Sequence, residues 1–246
     1  MSVAFDYSRT GPAVHLPEQL FGVAPGAQVL NIDEGVRALQ QIGMKTRFAR
    51  GETIFNEGDE AKYAYKVVSG AVRLCKHLPD GRRQIADFLL AGDFFGFLQF
   101  GFYSFTAEAV GDVVLMCYPQ RQLEQISSST PSLRKRLLVL LSQRLLGMQD
   151  HLVMLGRQTA RERLALFLVQ LAQRTAVEDG EALDLPMTRQ DIADYLGLTM
   201  ETVSRVLNEF KRTRLIGIPN LHQVVLNDLE ALHTIAEGDE ESDQRP

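Results

Sequence analysis

The stretch DIADYLGLTMETVSRVLNEFKR, residues 191–212, decides how the chain is read. Thr188, just upstream, suits the N-cap of a helix opening at Arg189, and Asp191 puts negative charge in its first turn. Ile192, Ala193 and Leu196 form an apolar side, and Gly197 supplies a stop. Thr199 then caps a second helix running from about Met200 to Lys211. Val203, Val206, Leu207 and Phe210 fall on one of its sides, and Glu201, Ser204, Arg205 and Asn208 on the other. Two short helices around a Gly-containing turn, the second with a polar face, follow the helix-turn-helix pattern.

The polar face has the chemistry of base readout. Arg205 offers two parallel donors that match guanine O6 and N7, Glu201 can accept from cytosine N4, and Ser204 can do either. Glu201 and Arg205 are four residues apart and project from one face. Backbone phosphates are expected to meet Thr188, Arg189, Thr199 and Thr202 at the helix starts, and Lys211 and Arg212 at the helix end. Downstream, LIGIPNLHQVVLN reads as two strands around Asn220-Leu221-His222, a wing whose tip brings His222 toward the backbone. A solvated, salt-bridged helix face is the plain alternative, and the capped turn and preceding helix weigh against it.

Upstream the period changes twice. Between Thr46 and Pro119, short apolar or alternating runs are punctuated by Gly51, Gly58, Gly70, Gly81, Gly92, Gly96 and Gly111, with a turn at Pro79-Asp80-Gly81. Many short strands at even spacing predict an antiparallel barrel or jelly roll. From Ser132 to Arg174 there is no Pro, and Leu138, Leu141, Leu145, Met148, Leu152 and Leu155 recur at heptad spacing. That seam predicts a dimerisation helix, with Leu137, Leu140 and Leu146 left to pack on the roll. A single core helix of a monomer is the alternative. The polar QTARER predicts a break at Arg157 to Arg161, before a second amphipathic helix carrying Leu164, Phe167, Leu168 and Leu171.

The expected division is a flexible arm at 1–30, a β-roll at 31–130, a dimerisation helix at 131–157, a winged helix-turn-helix at 158–236 and an acidic disordered tail at 237–246. The class is α+β. Net charge is −5, but residues 227–246 carry seven acids and one Arg. The rest of the chain balances 25 basic against 24 acidic residues, so charge neither supports nor excludes DNA binding. Two cysteines, Cys75 and Cys117, argue against a disulfide scaffold and suit a reducing cytoplasm. No apolar run reaches the roughly 18 residues of a membrane span, and no secretory signal is visible. Phosphate-loop, zincin and nucleophile-elbow motifs are absent and the five His are scattered, which argues against an enzyme.

These features together resemble the Crp/Fnr family of bacterial transcription regulators, over about Thr46 to Leu232. The resemblance implies a β-roll like that of cyclic-nucleotide-binding domains, a long dimerisation helix and a winged helix-turn-helix. It implies a homodimer acting on double-stranded DNA with RNA polymerase as partner. The spelling of Glu201, Ser204 and Arg205 is similar to the Fnr and FixK branches, which read TTGAT–N4–ATCAA-like palindromes, and the wider stretch IADYLGLTMETVSR is similar to the FixK branch, which governs micro-oxic, nitrogen-fixation and denitrification genes. Arg205 would then contact guanine, Glu201 cytosine and Ser204 thymine.

The family's sensors can be sought residue by residue. The iron–sulfur type needs N-terminal cysteines, and residues 1–74 contain none. The cyclic-nucleotide type needs a Glu after the turn Gly92-Asp93-Phe94-Phe95-Gly96 and an Arg-Ser pair further on. This chain has Phe97 and then YSFTAEAV. The roll is therefore expected to need no cofactor, its cavity closed by Phe94, Phe95, Phe97, Phe100, Phe102 and Phe105. Cys75 and His77 share a strand face but make an incomplete metal site, so no metal is expected. Two alternatives stand: an effector-gated regulator with haem or another ligand in the roll, and a ligand-binding signalling module that does not act on DNA.

Overall fold

The computed structural model describes residues 34–96 and 101–238. The expected N-terminal arm and most of the acidic tail lie outside them, as do Phe97 and Phe100.

The chain opens with α1 (Glu34–Ile42), followed by β1 (Met44–Phe48), β2 (Thr53–Phe55), β3 (Tyr63–Ser69), β4 (Val72–His77), β5 (Arg83–Leu89), β6 (Phe94–Phe95), β7 (Thr106–Ala109) and β8 (Val113–Pro119). These strands form two four-stranded antiparallel sheets, β1-β8-β3-β6 and β2-β7-β4-β5. Register places Tyr65 opposite Cys117 and Cys75 opposite Thr106. Gly70 joins β3 to β4 at φ +84°, where a Cβ would collide with the carbonyl oxygen of Asp112. Only glycine fits both that dihedral and that approach.

An aromatic cluster fills the space between the sheets. Phe55 stacks on Tyr103 with ring centroids 3.6 Å apart, and Tyr65 stacks on Phe95 at 5.1 Å. The Tyr103 hydroxyl donates to the Tyr63 carbonyl at 2.7 Å, so this buried polar group is satisfied. The sequence-based roster of closing aromatics needs correction. Of its four described members, Phe94, Phe95, Phe102 and Phe105, Phe95 alone belongs to this cluster. Phe94 faces the helices and stacks on Tyr118, Phe102 is 60% exposed, and Phe105 lies half-buried beneath Lys76.

Next come α2 (Gln120–Ser129) and α3 (Pro131–Arg157), a helix of 27 residues opened by Pro131 at its first turn. Leu133, Leu137 and Leu140 pack it against α1, α2 and the roll. Another stripe of its apolar residues turns outward: Leu138, Leu145, Leu146, Met148, Leu152 and Val153 are all at least half exposed. Leu141 is half-buried. Two expectations change here. Leu146 lies on the exposed stripe rather than on the roll, while Leu155 packs against the buried core of its own chain.

The C-terminal unit comprises α4 (Ala160–Thr175), β9 (Ala182–Asp184), α5 (Arg189–Leu196), α6 (Met200–Arg212), β10 (Ile216–Asn220), β11 (Gln223–Leu226) and α7 (Leu229–Glu237). Thr159 and Glu162 form a reciprocal capping box that starts α4 immediately after the break. The sheet order β10-β11-β9 makes a three-stranded wing. The core of this unit does not stop at its border. Ala71, Cys75, Ile85, Phe88 and Val110 of the roll join the same buried cluster as Leu164, Leu168, Ile192 and Leu196.

Candidate nucleic-acid interface

Local chemistry builds the two helices. The Thr188 hydroxyl accepts from the backbone N–H of Asp191, and the Asp191 carboxylate accepts from the backbone N–H of Thr188. Gly197 closes α5 in the left-handed region at φ 63°, and its N–H donates to the Ala193 carbonyl. Thr199 then caps α6 by accepting from Thr202 N–H at 3.2 Å. Val203, Val206, Leu207 and Phe210 bury one side of α6. Arg163 staples the frame by donating to the carbonyls of Leu155 and Leu196, both at 2.9 Å.

The opposite side of α6 presents Glu201, Arg205 and Asn208 to solvent, with Ser204 half-buried between them. Neither Glu201 nor Arg205 is held in an ion pair among the described residues. Glu209, by contrast, is tied to Arg161 at 3.0 Å. The base-reading candidates thus stand free on a rigid element, which is what a reading helix requires. Lys211 and Arg212 lie exposed at its C-terminal end. His222 is at the exposed wing tip beside Leu221, its backbone N–H donating to the Asn220 side chain at 2.8 Å.

The helix-start candidates divide. Arg189 is half-buried, and the Thr199 hydroxyl is exposed while also hydrogen-bonding that of Thr202. The Thr188 hydroxyl is already engaged with Asp191 as acceptor and donor, so it has least capacity left for a phosphate.

Asp191 does more than the sequence reading assigned to it. Its side chain is only 2% exposed, and it takes Arg73 at 2.9 Å and Arg83 at 2.5 Å, both from the roll. Arg83 also reaches Asp194 at 2.7 Å, and Arg73 is backed by Glu108 at 2.7 Å. Burial alone would push the Asp191 carboxyl up. The Thr188 hydrogen bonds and the two guanidinium groups outweigh it, and the net shift is downward. Arg174 of α4 reaches back to Asp93 at 2.5 Å, and Arg144 of α3 to Asp87 at 2.6 Å. The unit that carries α6 is therefore fastened to the roll through α5, and α6 keeps its polar face free.

A roll packed on a winged helix-turn-helix with a free polar helix defines a DNA-binding transcription regulator. Comparison with known proteins agrees. Residues 45–130 match the cyclic nucleotide-binding domain model, and residues 162–235 the Crp-like helix-turn-helix domain model. The chain is similar to the nitrogen fixation regulation protein FixK of Azorhizobium caulinodans, 39% identical over 235 residues, covering 93% of this chain and 92% of that protein. Similarity to the FixK protein of Bradyrhizobium diazoefficiens is 40% over 185 residues, 74% of this chain and 78% of the relative. Among solved structures, FixK2 from Bradyrhizobium japonicum matches with a TM-score of 0.75 at 36% identity, covering 79% of this chain and 97% of that one. The chain belongs to the Crp/Fnr family of transcription regulators, and within it resembles FixK. It is a regulator rather than an enzyme. No helix among the described residues is long and apolar enough to cross a membrane.

Proposed function

We propose that the chain works as a homodimer reading a TTGAT–N4–ATCAA-like palindrome, and that it activates genes for micro-oxic life or nitrogen fixation through contact with RNA polymerase in the cytoplasm. Arg205 reads guanine, Glu201 cytosine on the complementary strand and Ser204 thymine. Arg189, Thr199, Thr202, Lys211, Arg212 and His222 hold phosphates, with Thr188 positioning α5. The observation that carries this reading is the unpaired Glu201 and Arg205 on one exposed face of a capped, well-buried α6. The FixK-named relatives support the regulon.

The exposed stripe from Leu138 through Leu152 supports pairing of two α3 helices. Two reading helices about 34 Å apart would then match the two half-sites. Stacked Phe55 and Tyr103 in the roll interior support action without a cyclic nucleotide or other cofactor. The test is binding of the purified protein to the palindrome and to a scrambled duplex, at fixed salt with nothing added. Tight binding to the palindrome alone is expected. Equal weak binding to both would overturn the readout.

A further inference from the structure

The face of β4 that looks toward the helix-turn-helix carries Arg73, Cys75 and His77 at alternate positions. β7 runs beside it and places Glu108 opposite Arg73. The Cys75 Sγ, a His77 ring nitrogen and a Glu108 carboxylate oxygen all lie within 4.8 Å of one another. We propose that Cys75, His77 and Glu108 form a binding site for a borderline-soft divalent cation of the zinc class, set at the junction of the roll and the DNA-binding unit.

Donor chemistry, spacing and charge all suit this site to such an ion. The donors are one sulfur, one imidazole nitrogen and one carboxylate oxygen, a set that suits zinc rather than magnesium or calcium. Bonds of about 2.0–2.3 Å in a tetrahedron put ligand atoms roughly 3.3–3.8 Å apart, so the group must close by only about 1 Å. His77 ends its strand and is exposed, which gives the movement and the way in. Charge points the same way. In the ion-pair network that adjoins the site, Arg73 and Arg83 face three carboxylates, those of Glu108, Asp191 and Asp194. One negative charge is in excess. A divalent ion bound with a thiolate adds one positive charge and neutralises the cluster.

Binding proceeds with a defined balance. The Cys75 thiol, whose pKa burial pushes up to about 11, loses its proton to solvent as the sulfur–metal bond forms. Glu108 gives up part of its contact with Arg73 to become a ligand. A solvent molecule completes the fourth position. Arg73 is then left with Asp191 as its principal partner, so occupancy redistributes charge along the same residues that fasten α5 to the roll.

The experiment is a Co2+ titration of the reduced, chelator-treated full chain, followed by absorption. One ion per chain is expected, with a sulfur-to-metal charge-transfer band in the near ultraviolet and visible bands of tetrahedral intensity. Both should vanish in Cys75→Ser and His77→Ala and persist in Cys117→Ser, and added Zn2+ should displace them. His77 is exposed, so His77→Ala keeps the fold even if Cys75→Ser does not. No charge-transfer band in the parent, or an undiminished band in His77→Ala, would overturn the proposal. The readout uses no DNA, so it stands or falls apart from the palindrome assignment.

Discussion

Replacing Asp191 separates two jobs held by one carboxylate. Asp191→Ala removes the carboxylate that accepts from the Thr188 backbone N–H, the reciprocal half of the α5 capping box, worth about 1 kcal/mol. It also removes the buried charge that Arg73 and Arg83 share. Orphaning a buried ion outright costs about 3–5 kcal/mol. Here each Arg keeps another carboxylate, Glu108 for Arg73 and Asp194 for Arg83, both at 2.7 Å. The loss therefore falls nearer the value of one charged hydrogen-bonded contact, about 2 kcal/mol. The sum is about 3 kcal/mol, or roughly 6–12 °C in melting temperature for a chain of this size. Asp191→Asn retains a capping oxygen but turns an NH2 group toward two guanidinium groups. It should lose only the ionic part, about 2 kcal/mol, or roughly 4–8 °C. Thermal unfolding followed by circular dichroism at neutral pH reads both variants. An Asn variant that melts with the parent would refute the ion-pair reasoning, and an Ala variant no worse than Asn would refute the cap.

Further outcomes follow from other residues. Arg205→Ala should bring palindrome binding down toward the level of a scrambled duplex, by about 1–3 kcal/mol per half-site, without changing the fold; a retained preference in a gel-shift titration would remove α6 from the reading role. Leu152 is 69% exposed in the single chain, so Leu152→Glu should lower the sedimenting mass to that of one chain while the helical spectrum is kept; an unchanged mass would relocate the dimer interface. Gly70→Ala forces φ +84° on a residue with a Cβ aimed at the Asp112 carbonyl, and should cost at least about 2 kcal/mol in urea unfolding. His151 lies tilted against Tyr195 with ring centroids 4.3 Å apart, and burial, with help from Arg163, holds its pKa below the usual value. Its folded form binds fewer protons than its unfolded form, so stability is full above about pH 6.5 and falls as pH drops through that value toward the folded pKa. His151→Phe should flatten that slope between pH 8 and 5, and an unaltered slope would assign the effect elsewhere.

The helix-turn-helix was legible because its signals are local. Thr188, Gly197 and Thr199 act on backbone groups within a few residues, so their spelling predicts the boundaries of α5 and α6. The roll's class was legible for the same reason, from strand alternation and turn residues. What escaped depends on distance along the chain. Asp191 meets Arg83 and Arg73 across 108 and 118 residues, and no periodicity encodes such a meeting. Glu108 as a third donor beside Cys75 and His77 was hidden likewise, since only the β4–β7 register brings it there. Phe94, Phe95 and Phe102 are equally apolar in the sequence, yet one faces the helices, one fills the roll and one is exposed. Leu146 and Leu155 exchanged roles because one long helix passes two different neighbours, the roll with α1 and α2 near its start and the C-terminal unit near its end. The short strand β9 and the helices α1 and α2 carry too few residues for a clear period.

The fastening of α5 to the roll also bears on how the protein is made. Synthesis delivers the roll first, with Arg73 and Arg83 already set on finished strands, and the last third of the chain much later. α5 can cap itself as soon as Thr188 and Asp191 have emerged. Its acidic face, Asp191 and Asp194, stays without its cations until the newborn unit lands on β4 and β5. Opposite charges on the two surfaces would then steer that landing, and the roll serves as a template against which the reading head is seated at birth.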